Sequence, residues 1–320
     1  MSRLSRDQFA LNAIPWFNVK ADPSDPDSDD LWLVADPAFR ADYPRVLAEI
    51  RESGFEVAML EVLETQTLQD YARLVEEAGL RLAPGYASIG LPEDHGIVLA
   101  PGSAERAHWF DAVRRKAEES NYFGLSTVFL APEIAWIPSA VRAVEAAAVG
   151  AGFDAERLDR VVDMITEAAE VLAAEGVRAG LHNHVGTWIE TEAEIDHVLG
   201  RVDAKLLGAS LDIGHLLWAG ADPIAVLSRH ADRLLDLHIK DLNLEVARTS
   251  RENPAPYRHA VDRGLFTEPG RGDVDLAGIL AALPDDFGGW IIVEVDRTTL
   301  VPRESAQVSW QWVLDVTAGD

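Results

Sequence analysis

The chain has 320 residues, 48% of them hydrophobic, which is enough to bury a large core as one unit. Its 54 acidic and 28 basic residues leave a formal charge of −26, a field that repels phosphate backbones and anionic lipid, so neither nucleic acid nor a membrane is an expected partner. There is no cysteine, which excludes disulfides and thiolate metal sites; the polar stretch from Met1 to Ala10 lacks the apolar segment of a signal peptide, and a cytoplasmic protein is expected.

In chain order, short apolar runs alternate with longer amphipathic ones. A strand is predicted over Phe9 to Trp16, followed by an acidic, proline-containing connection from Ala21 to Asp30 and a helix over Tyr43 to Ser53. Phe55 to Leu60 reads as strand two. Thr67 and Asp70 give a capping-box-like start to the next helix, which Gly79 ends. Arg81 to Pro84 is strand three, Ala104 to Ser120 a helix and Ser126 to Ala131 strand four; a long connection from Ile134 to Phe153 follows. Asp154 caps a helix whose Leu158, Val161, Val162, Ile165 and Leu172 share one face, and Gly176 ends it. Strand five is Arg178 to His182, then a helix over Thr191 to Leu199, strand six over Leu207 to Asp212 and strand seven over Leu234 to Ile239. The connection from Leu242 to Asp275 is long, without clear helices, and carries Pro254, Pro256, Pro269, Gly270, Arg271 and Gly272. Strand eight is Trp290 to Val295, and a helix over Arg303 to Val316 closes the chain. Eight strands in a βαβα order predict a parallel α/β structure, a closed (β/α)8 TIM barrel forming one domain over residues 1–320. All three long connections follow strands and fall on the C-terminal face, where barrels build their sites.

Strands five to eight each end in ligand-type side chains: His182-Asn183-His184, Asp212, His238 and Glu294. Alternate residues share a face of a strand, so His182 and His184 point one way and Asn183 the other. One imidazole or carboxylate from each strand makes a mixed N/O set suited to Mn2+, Co2+, Zn2+ or Mg2+, with Mn2+ the leading expectation. Around the set, Glu133, His184, His215 and Lys240 are candidate proton-transfer groups, with Asp241 as a possible partner for the lysine. Glu61 is a candidate hydroxyl-orienting group. Trp16, Trp136, Trp188 and Trp218 fall near strand ends, where their faces suit the C–H faces of sugars and cyclitols. Arg271, in the connection after strand seven, is read as a substrate contact, reaching a phosphate or closing a lid.

The run Leu181-His182-Asn183-His184-Val185-Gly186-Thr187, then Leu211-Asp212-Ile213-Gly214-His215, Ala219-Gly220-Ala221-Asp222-Pro223 and His238-Ile239-Lys240-Asp241 resembles the xylose-isomerase-like barrels, the sugar phosphate isomerase/epimerase group. Within it, the His-x-His-x-Gly-Thr segment is most similar to inosose dehydratases. By position, the resemblance implies metal ligation by the residue at the end of strand five, Asp212, His238 and Glu294. The epimerases carry glutamate where His182 stands, so His182 and His184 both remain candidates for the strand-five ligand. It further implies a keto-sugar or keto-cyclitol substrate, proton removal next to the carbonyl, a metal-stabilised enediolate, and a homo-oligomer. Loss of a β-hydroxyl would give dehydration; reprotonation would give isomerisation or epimerisation; a 3-keto glycoside would lose its aglycone. A sugar-binding or interaction subunit is the non-enzymatic alternative. Endonuclease-IV-like nucleases share the Asp-x-x-His spacing, but Leu242 to Arg251 lacks their Asp-x-His, and −26 opposes DNA.

Overall fold

The computed structural model describes residues 4–22, 25, 28–134 and 140–318. Among them, β1 (Phe9–Leu11), β2 (Val57–Met59), β3, β4 (Thr127–Pro132), β5 (Arg178–Leu181), β6 (Leu207–Asp212), β7 (Leu234–Ile239) and β8 (Ile291–Val293) form one parallel sheet. β3 comes in two pieces, Arg81–Ala83 and Tyr86–Ile89. The first pairs with β2 and the second with β4, so the two edges of the sheet are consecutive halves of one strand and the sheet closes into a barrel. Pro84 and Gly85 make the break between them. Gly85 is required by close approach, because a Cβ there would stand 2.3 Å from the Leu60 carbonyl oxygen. Hydrogen bonds continue past the break, from Leu60 N to Ala83 O and from Phe129 N to Gly85 O, both at 3.0 Å.

β6 and β7 have the bounds that their sequence predicts; β6 is buried throughout and β7 from Asp236 onward, with one face toward the barrel interior and the other toward the helices outside. β1 stops at Leu11 rather than Trp16, since Pro15 starts a short helix, Ile14–Phe17, and cannot donate to a ladder. β3 continues five residues past the predicted end at Pro84, which brings Tyr86 into the barrel. Two of the helices have their predicted caps: Asp154 accepts from Arg157 N, and Gly79 ends its helix at φ 66°. The connection after β7 is not helix-free: it holds Leu244–Glu252 and Tyr257–Val261, kept apart by Pro254 and Pro256. A hairpin of Asn18–Lys20 and Asp30–Trp32 follows β1.

Candidate functional site

At the C-terminal ends of β5, β6 and β7, His182, Asp212 and His238 are completely buried, and one ligand atom of each lies within 4.8 Å of the others. Asn183 turns away from this group. Its amide bonds both backbone groups of Asp212, Nδ2 to the carbonyl at 3.1 Å and Oδ1 from the N–H at 2.9 Å, which fixes β6 beside β5. Asp212 Oδ1 accepts from Gly214 N and His215 N. His182 Nδ1 and His238 Nε2 are buried without a hydrogen-bond partner among the described residues, an arrangement that costs free energy unless something binds there. Burial, reinforced by His238, keeps the His182 imidazole well below its ordinary pKa and neutral, as a ligand must be. This orphaned, mixed N/O donor set fits a divalent cation. His182, not His184, is the strand-five residue in the set.

Glu294 adjoins the group. Its Oε2 lies 3.1 Å from His238 Nδ1 and accepts from the Tyr86 hydroxyl at 2.9 Å, while Oε1 is 3.2 Å from Lys240 Nζ. Burial opposes ionisation of Glu294, but Lys240 and the His238 N–H outweigh it and hold its pKa well below the usual carboxylate range. A carboxylate on the far ring nitrogen is a common way to orient a metal-binding histidine.

Lys240 follows β7, is completely buried, and hydrogen-bonds His215 Nε2 at 3.0 Å; its ammonium also pairs with the carboxylates of Asp212 (Oδ2 at 3.1 Å) and Asp296 (Oδ1 at 2.7 Å) in addition to Glu294. Burial alone would lower its pKa; the carboxylates of Asp212, Asp296 and Glu294 overcome that and keep the ammonium protonated, above its ordinary value. Asp241 is not its partner. The next residue along points the opposite way, and Asp241 accepts the N–H groups of Gly270, Gly272 and Val274.

His184, His215 and Asp296 form a second group of ligand-type side chains, with the two imidazole centroids 3.7 Å apart. The Nδ1 of His184 donates to the Val185 carbonyl at 2.6 Å, which leaves the lone pair on Nε2. Burial, then the charge of Lys240, brings the His184 pKa down to about 3, so the ring is neutral near pH 7.

His182, His184, Tyr86, Asn12, Glu61 and Glu294 line an inner cavity of about 260 Å3. It shares Trp32, Ser88 and His184 with an outer cavity of about 990 Å3, bordered by Asn18, Glu64, Glu133, Arg258 and Arg297. Glu133 stands at this mouth with His95 Nε2 at 2.8 Å, and burial pushes the Glu61 carboxyl above its ordinary pKa. The expected tryptophans lie elsewhere. Trp16 is in the core with its indole N–H on Glu49, Trp188 donates to Asp94 and lies with its ring under the guanidinium of Arg157, and Trp218 is wholly buried behind His215 with its N–H on Ser250. Trp136 lies outside the described residues. Arg271 is exposed on the turn after β7. Arg258, in contrast, is tied to Ser28 and Asp29 of the connection after β1.

Two residues missing from the predicted site belong to it. Asp296 was legible, since it shares a strand face with Glu294 by the spacing of two. Tyr86 was not, because Pro84 read as the end of strand three.

A model of the xylose isomerase-like TIM barrel family matches residues 47–315. The chain belongs to that family. Among curated relatives, an inosose dehydratase of Geobacillus kaustophilus (strain HTA426) is 36% identical over 158 residues, 48% of this chain and 51% of that protein. The rhizopine catabolism protein MocC of Rhizobium meliloti is 38% identical over 134 residues, 42% of this chain and 41% of that one. The chain spans about half the length of the curated relatives it matches. Among solved structures, the IOLI protein with a bound zinc atom superposes with a TM-score of 0.62 at 15% identity, covering 97% of this chain and 98% of that one. The family's Mycobacterium smegmatis member in complex with magnesium gives 0.63 at 16% identity, over 97% and 96% of the two chains. The D-allulose 3-epimerase of Methylomonas sp. in complex with D-allulose gives 0.63 at 16%, over 98% of each. At these identities the likeness is one of fold. No helix among the described residues is long and apolar enough to cross a membrane.

Proposed function

We propose that the chain is a divalent-metal-dependent enzyme that removes a proton next to the carbonyl of a keto-sugar or keto-cyclitol and then expels a β-hydroxyl as water. The observation that carries this reading is a neutral histidine, His184, lining the cavity beside an orphaned His182–Asp212–His238 donor set. His182, Asp212 and His238 would hold the cation, with Glu294 and Tyr86 fixing the His238 ring. When bound, it supplies electrophilic polarisation of a substrate carbonyl. His184 Nε2 takes the proton: its Nδ1 proton is committed to Val185, and its low pKa leaves the base unprotonated. Asn12, Ser88 and Glu61 supply hydrogen bonds for ring hydroxyls. Glu133 and His95, paired at the mouth, are the groups placed to relay a proton from solvent to a departing hydroxyl. The inosose dehydratase relatives favour dehydration over epimerisation as the outcome.

A second reading draws on the outer cavity. Small-ligand sites run from about 300 to 1,000 Å3, and the outer chamber stands at the top of that range, so a glycoside with its aglycone in the outer chamber also fits. Proton NMR in D2O of the Mn2+-loaded protein with scyllo-inosose, other keto-cyclitols, keto-sugars and a 3-keto glycoside separates the readings. Loss of a ring hydroxyl supports the dehydratase. Deuterium exchange with a new epimer and no loss of water moves the chain to the epimerases, and release of an aglycone selects the glycoside. No exchange with any of them leaves a binding protein and ends the catalytic reading.

A further inference from the structure

The chain has four lysines, and one of them, Lys240, is wholly enclosed in the site. Its ammonium lies between the two ligand groups and touches both: Asp212 Oδ2 at 3.1 Å on one side, and His215 Nε2 at 3.0 Å with Asp296 Oδ1 at 2.7 Å on the other. Glu294 Oε1 completes the set at 3.2 Å. Three carboxylate oxygens and one imidazole nitrogen around one centre are the donors a divalent cation would take. We propose that Lys240 is the built-in second cation of this centre, so that the chain holds one divalent ion, not a pair.

Charge supports this. Asp212, Glu294 and Asp296 bring three buried negative charges to the centre, and one ammonium with one divalent ion cancels them. A second divalent ion beside the ammonium would leave two uncompensated positive charges in a buried place, which is strongly unfavourable. The ammonium also engages the His215 Nε2 lone pair, which a second ion at His184, His215 and Asp296 would need. The local sequence is built for this passage of the lysine. A Cβ on Gly214 would stand 2.5 Å from Lys240 Cβ, so only glycine lets the backbone after β6 pass that close.

The inference rests on the metal-dependent reading above, and one set of measurements tells the two apart. Mn2+ per chain is counted by mass spectrometry of desalted protein, with folding checked by circular dichroism. One ion is expected in the wild type, two in Lys240→Met, and one again when His215→Ala is added to Lys240→Met. A folded Lys240→Met chain that still takes one ion overturns the inference and leaves the metal reading standing; a wild type that takes none ends both. If Lys240→Met does not fold even with Mn2+, the wild type decides. Electron paramagnetic resonance of the Mn2+-saturated protein is expected to show an isolated ion, and a spin-coupled pair overturns the proposal.

Discussion

His238 Nδ1 lies 3.1 Å from Glu294 Oε2, with the Tyr86 hydroxyl 3.0 Å from the same nitrogen. Both neighbours can accept, so the ring proton sits on Nδ1 and the Nε2 lone pair is left for the group formed with His182 and Asp212. Glu294→Gln is therefore expected to weaken Mn2+ binding by about 10–100-fold, as changes behind a ligating histidine do. Tyr86→Phe, which leaves the carboxylate in place, should weaken it less. Competition titration against a fluorescent chelator measures both, and an unchanged affinity in Glu294→Gln would show that the pair does not orient a ligand.

His184 stands outside the His182–Asp212–His238 set, so base and ligand functions can be separated. His184→Ala is expected to lower the rate of deuterium exchange next to the substrate carbonyl by about 10²–10⁴-fold, the usual contribution of a positioned base. Bound metal should stay at the wild-type level. Loss of metal in this variant, or an unaltered exchange rate, would remove His184 from its assigned role.

Asp212 has two jobs on two oxygens. Oδ1 caps the turn at Gly214 and His215, and Oδ2 faces Lys240. Asp212→Asn keeps an oxygen for the cap and should lose metal, and it shares with Asp212→Ala the loss of the carboxylate charge beside Lys240, so the two variants differ chiefly in the cap. Asp212→Ala should lose metal too and unfold more easily than Asp212→Asn by about 1 kcal/mol or more, the worth of a cap. Urea denaturation of the two metal-free variants checks this; equal midpoints would mean the cap contributes nothing.

Arg142 and Glu194 form a buried ion pair, Nη2 to Oε1 at 2.6 Å, that joins the connection after β4 to the one after β5. Glu194 Oε2 also accepts the N–H groups of Glu190 and Thr191, and Arg142 donates to the Thr187 carbonyl. Glu194→Ala leaves a buried guanidinium short of its partner and is expected to cost about 3–5 kcal/mol in urea unfolding. A cost below about 1 kcal/mol would show that the nearby Glu190, 3.8 Å from Arg142 Nε, balances the charge unaided.

The barrel was legible because its strands are buried on both faces and read as continuous apolar runs, with ligand-type residues where the runs stop. β6 and β7 show this best, having the bounds their sequence predicts. Reading failed at Pro84, where a proline that usually ends a strand marks only a break within one, and at Pro254 and Pro256, which separate two helices inside a connection taken as helix-free. The tryptophans misled for a related reason. Large aromatic faces suit sugars and cores equally, and periodicity near a strand end does not say which way the ring turns. Trp16 and Trp218 both turn inward.

The sequence by itself determined the fold class and the identity of the ligand-type residues, since strand alternation and barrel topology force the ends of β5 to β8 toward one face. What only the tertiary structure decided is how those residues divide. Spacing along a strand cannot show whether His182 or His184 joins Asp212 and His238, because both share a face. Nor can it show that Lys240 reaches three carboxylates from different positions rather than its neighbour Asp241. Those partners are set by distances across strands, and such distances exist only once the barrel has closed.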